Sequence, residues 1–274
     1  NTAIGYDALF ANTTGCKNVA VGALSLDANT TGYANVAVGF QSLTYNTTGY
    51  ENTAIGQNAL YCNTTANFNT AVGRSALLNS TTGANNTAVG FSVMSANTTG
   101  SENTAVGLCA LSSNTTASAN TAVGHCSMKA NTTGAQNAAF AINSMRCNTT
   151  GSDNTAMGYL ALCANTTSNQ NVAIGRSALQ NQSGGSGANT AVGDDSLLAN
   201  TTGTQNSGLG INTGREVTTG ANNTLLGTNA GRSSSPSGSI TTGSNNVVLG
   251  NDSVTDLWCA DTSISSSDLR DKTD

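Results

Sequence analysis

The sequence repeats itself every 17 residues, and that period constrains the fold more than anything else in the chain. The phrase Asn-Thr/Val-Ala-Val/Ile-Gly and its variants start at Asn1, Asn18, Asn35, Asn52, Asn69, Asn86, Asn103, Asn120, Asn137, Asn154, Asn171, Asn189, Asn206, Asn223 and Asn246. Twelve of the fourteen intervals are 17 residues, one is 18 (171 to 189) and one is 23 (223 to 246). A short strict period marks a chain built of one supersecondary unit stacked on copies of itself. The expected fold is therefore all-β, a parallel β-solenoid or β-roll of about 15 turns.

Each place in the 17-residue pattern N-T-A-V-G-x-x-A-L-x-x-N-T-T-G-x-x has a physical reason. The Thr-Ala-Val/Ile portion is β-branched and ends at Gly, which reads as a short strand. Gly at position 5 and the Asn-Thr-Thr-Gly portion supply two corners, so the coil is flattened. Position 9 is Leu or Met in the first twelve coils: Leu9, Leu26, Leu43, Leu60, Leu77, Met94, Leu111, Met128, Met145, Leu162, Leu179 and Leu197. That second segment suits a strand or one helical turn, with a slight preference for strand. The expected core is one Val or Ile from the strand and one Leu per coil, too little apolar surface to offset the ordering of a lone coil. Stacking must supply the rest, through parallel backbone pairing and columns of identical Asn and Thr side chains. A further apolar face shared between copies would thicken so thin a core, and a cyclic homotrimer is a closed symmetry that suits a fibre.

The pattern divides the chain into a regular solenoid over 1–205, variant end turns over 206–252 and a junction over 253–274. In the variant section Gly214 stands where Leu is expected, and the 23-residue coil contains Ser233-Ser-Ser-Pro-Ser-Gly238 with the only Pro. Atypical end coils are expected of a solenoid, whose open stack needs a cap. Periodicity stops after Gly250, the only Trp follows at Trp258, and charged residues gather in Asp268–Asp274. Such a shift marks a boundary with another domain. The first residues already belong to a repeat, with no charged start and apolar run of the signal-peptide kind, so the chain is expected to be part of something longer.

Composition excludes several functions. Only 8% of residues are charged, the net charge is −5 and the nine Lys and Arg are scattered, so no basic stripe exists for nucleic acid. No apolar run approaches the ~20 residues of a membrane-spanning helix. The seven cysteines show no zinc-like spacing, and no metal or other cofactor is expected. Most of the cysteines read as small buried or half-buried fillers; Cys109 and Cys126 share one phase of successive coils and come close enough for a bridge, although stacked neighbours seldom have disulfide geometry. The only His, His125, lies beside Cys126 at a variable position and lacks a third orienting group, so it reads as surface decoration rather than a catalytic base. Asp194 and Asp195 are adjacent, and in a strand they would point to opposite faces, unlike the paired carboxylates of a polysaccharide hydrolase. The chain is not expected to be an enzyme.

The Asn-Thr-Thr triplets at Asn12, Asn29, Asn46, Asn63, Asn97, Asn114, Asn131, Asn148, Asn165 and Asn200 read first as turn and ladder formers and second as glycosylation sequons. Variable side chains at positions 6 and 7, among them Tyr6, Phe40, Arg74, Phe91 and Tyr159, could contact host glycans or another protein.

The Asn-Thr-Ala-Val-Gly coils resemble the repeats of trimeric autotransporter adhesin heads, in which a short strand recurs along a parallel β-roll. The fuller resemblance is to bacteriophage tail-fibre proteins that carry many Asn-Thr-Thr-Gly repeats and end in a self-cleaving intramolecular chaperone of the peptidase type. The junction Ser-Asp-x-Arg-x-Lys of that family stands here as Ser267, Asp268, Arg270 and Lys272. The resemblance implies a homotrimer, aligned by a downstream chaperone that then cuts between Ser267 and Asp268. It also implies a place in the virion, holding a receptor-binding tip at a distance and touching host surface glycans. The alternative expectation is a cellular surface adhesin or extracellular fibril, glycosylated on the Asn-Thr-Thr column.

Overall fold

The computed structural model describes residues 1–235 and 237–255. Fifteen strands of three residues each, from β1 (Thr2–Ile4) to β15 (Val247–Leu249), form one parallel sheet in strict sequence order. Pairing is in register throughout: Thr2 faces Val19, Ala3 faces Ala20 and Ile4 faces Val21, and the same positions meet in every later pair. The chain is an all-β solenoid with the 17-residue period, and no helix occurs among the described residues. Fifteen strands bound fourteen complete coils, slightly fewer than the fifteen motif starts suggest.

The inside of the coil differs from the expected core. The middle residue of each strand points inward, and in the first twelve coils it is Ala. Ala20 through Ala191 at this position are fully buried, whereas the Val or Ile that follows is half-buried or exposed. Side chains alternate along a strand, so a three-residue strand buries one face only, and the inner one here is the Ala face. The space that Ala leaves is filled from across the coil by the Leu or Met of position 9, fully buried from Leu26 to Leu197.

The second segment is neither strand nor helix. Positions 7 and 9 both have φ near +50 to +60, as at Leu24 (58) and Leu26 (50), Cys109 (55) and Leu111 (50), while position 8 between them does not. Each left-handed residue costs ~1 kcal/mol or more unless the surroundings hold it. Here bonds between coils hold it: the Leu9 N–H donates to the Ser25 carbonyl at 3.1 Å, and the Leu24 N–H to the Tyr6 carbonyl at 2.9 Å. The same two bonds recur down the stack, so the backbone groups are paired without any strand.

Two columns of Asn replace an apolar interior at the other end of the coil. At position 1 the Nδ2 donates to the carbonyl of position 15 in its own coil (Asn18 to Gly32, 2.8 Å), and the Oδ1 accepts the backbone N–H of the next Asn (Asn35 to Asn18, 2.9 Å). At position 12 the Nδ2 reaches both that carbonyl and the preceding Asn, as in Asn46 to Asn29 at 2.8 Å and Asn46 to Gly49 at 2.9 Å. Burying an amide is tolerable because every donor is bonded.

The variant coils keep the volume and exchange the places. Leu225 takes the Ala position in β14 (Thr224–Leu226), and Gly214 and Gly231 take the Leu position. A Cβ on Gly214 would lie 2.4 Å from Leu225 Cδ1 and 2.7 Å from Leu197 Cδ2, so these two leucines already occupy the missing side chain's room. Val217 and Ile240, both buried, then replace the Asn of position 12. The longer coil folds its extra residues over the last one: the Asp252 N–H donates to the Ser234 carbonyl at 2.8 Å, and Glu216 holds Arg232 and Ser239.

Candidate functional surface

The outward face of the sheet carries an apolar column that runs from the first strand to the last. Because Ala faces in, positions 2 and 4 face out, and position 4 is apolar in every coil: Ile4, Val21, Val38, Ile55, Val72 and on to Leu249. Large members of this column are well exposed, with Ile55 at 41%, Phe140 at 37%, Met157 at 44% and Leu209 at 54%. Beyond Gly at position 5, Phe40, Phe91, Leu108, Ile142, Tyr159 and Ile211 add exposed apolar surface at position 6. Contiguous apolar patches of this kind are unusual on monomers. Sequence reasoning placed these Val and Ile in the core; the signal it missed is that position 3 is Ala in twelve successive coils and Gly208 in the next, never larger until Leu225, as a tightly packed inward site requires.

The other sequence-derived sites fall elsewhere. Asn29, Asn46, Asn63, Asn97, Asn114, Asn131, Asn148, Asn165 and Asn200 are fully buried within the second Asn column, and only Asn12, at the open first coil, is half-buried. Their Nδ2 atoms point into the coil and toward the column, away from solvent. His125 is exposed with its Nε2 3.7 Å from the Cys126 sulfur. Ser267, Asp268, Arg270 and Lys272 lie outside the described residues.

One expectation needs correction. Asp194 and Asp195 do not point apart, because position 7 is left-handed and strand alternation does not apply there. Arg176 Nη2 lies 2.9 Å from Asp194 and 3.6 Å from Asp195, and Arg215 approaches Asp195 to 3.5 Å. Two carboxylates meeting two guanidiniums make a structural ion cluster, which ties the eleventh, twelfth and thirteenth coils together. All six described cysteines are free, with Cys126 a buried filler, and the thiols of Cys147 and Cys163 are neighbours. Among the described residues no group of three or more His, Cys, Asp or Glu is arranged to hold a metal ion. Among the described residues no helix is long and apolar enough to cross a membrane. No family model, curated protein or solved structure matches the chain.

Proposed function

We propose that the chain is the shaft of a trimeric fibre of the bacteriophage tail-fibre kind, in which three copies bury their outer sheet faces against one another. The observation that carries this reading is the unbroken apolar column at position 4. Fourteen steps at the ~4.8 Å spacing of parallel strands make it roughly 67 Å long, and positions 2 to 6 span about 13 Å, so each copy offers about 900 Å², shared between its two neighbours in a trimer. Only a partner with the same axial period matches such a face rung for rung, and a copy of the chain has that period. A rod of this kind holds a receptor-binding tip away from the particle, and its side chains at position 7, outside the buried face, are left to touch host surface glycans.

The buried Asn amides favour this reading over a glycosylated cellular fibril. A sugar on Nδ2 would remove a ladder bond and has no room inside the coil. The test is a pair of substitutions in the middle of the column, Val89→Asp with Val106→Asp, set against Thr99→Asp with Thr116→Asp on the exposed corner. The first pair is expected to reduce the assembly to monomers by light scattering while the second leaves it intact. Equal masses for both pairs would remove the column from the interface.

A further inference from the structure

Cys147 occupies position 11 of one coil and Cys163 position 10 of the next, and the Cys147 N–H donates to the Cys163 carbonyl at 3.0 Å. Coils stacked at ~4.8 Å fall inside the ~4.4–6.8 Å separation of Cα atoms that a disulfide bridges. The two thiols are neighbours: burial pushes the Cys163 thiol up, the nearby Cys147 sulfur adds to this, and Arg146 opposes it. Cys147 is exposed and Cys163 half-buried. Both lie on the turn segment rather than on the outer sheet face, so neither a lone chain nor one assembled through that face covers them.

We propose that Cys147 and Cys163 form a redox modification site, at which a low-molecular-weight disulfide converts the two thiols into a bridge between adjacent coils. The Cys147 thiolate, the more accessible of the two, attacks one sulfur of the small disulfide and expels its partner as a thiolate. The Cys163 thiol then gives its proton to solvent and attacks the Cys147 sulfur, breaking the mixed disulfide and releasing the second small thiol. Two protein thiols are oxidised and one small disulfide is reduced to two thiols. The bridge closes one coil on itself, staples it to its neighbour and restrains local opening in the middle of the shaft. Cys16 and Cys62 have no such partner in the adjacent coil; Cys62 meets the Asn79 Oδ1 at 4.0 Å instead.

The test uses the full chain with oxidised glutathione, quenched by alkylation and digested after unfolding. Trypsin cuts after Arg146 and Arg176, so one peptide, 147–176, carries both sulfurs. The expected product is that peptide unalkylated and lighter by two hydrogens, formed ~10-fold or more faster in the folded chain than in urea because the coil sets a high effective concentration. Cys163→Ser should stop at a lasting glutathione adduct on Cys147. A lasting adduct in the unsubstituted chain, both thiols alkylated, or equal rates in folded and unfolded chains would overturn the proposal.

Discussion

Ala141 is the one residue at position 5 that is not Gly, and it shows what that position requires. From Gly5 to Gly210 the glycines there have φ between 126 and 143, a region closed to L side chains, whereas Ala141 sits at 110. A Cβ added at Gly124 would come 2.5 Å from the Ala141 carbonyl, and the same clash with the next coil repeats along the column. Ala141→Gly should therefore stabilise the chain by about 1 kcal/mol in urea denaturation, the relieved strain exceeding the added entropy of Gly. Ser80 is a second local defect, since it interrupts the inner Asn column. The Oδ1 of Asn63 and the Oγ of Ser80 are buried without a partner, because no Nδ2 arrives from the fifth coil. Ser80→Asn has the room its neighbours in the column have, and should add roughly 1–2 kcal/mol by satisfying these atoms. A loss of stability would mean that the column is not the element holding this corner.

At the level of the coil, much was legible in the sequence and one segment was not. The strand, its parallel register and the two corners follow from a phrase repeated at fixed spacing, and the Asn columns follow from identical amides stacked on identical amides. The inward face of the strand was misread because Val and Ile are the usual core residues and three residues carry too little alternation to set the phase. The second segment was misread because Ala-Leu with polar neighbours carries no mark of left-handed backbone; Leu at φ near +50 is held by coil-to-coil bonds that exist only in the stack. The end coil adds a pH-dependent clasp. The Ser239 hydroxyl, foremost, and Arg232 hold the Glu216 carboxyl below its ordinary range against the opposing effect of burial. A lowered folded value means that this clasp contributes above the unfolded value of about 4.3 and is lost as pH falls through the folded one. Amide protection over residues 231–240, corrected for the intrinsic exchange rate at each pH, should fall on acidification through the folded value, and Glu216→Gln should show the lower protection already at neutral pH. Exchange that ignores both changes would leave Glu216 without that role.

Taken as a whole, the molecule is a rod whose stability is the sum of equivalent neighbouring interfaces, a construction that gives length without a large core. In the regular coils the inner volume is closed by the Ala of position 3, a small residue at position 8, the Leu or Met of position 9 and two columns of Asn. The Val and Ile of position 4 are left over, and they stand in one line on the sheet. Near-equivalent coils would allow copies assembled as proposed to pair out of register. The assembly through the sheet face is open to direct measurement. The native mass of the purified chain at micromolar concentration, by mass spectrometry or light scattering, should be three times its 27.3 kDa, and a monomer mass would contradict the account.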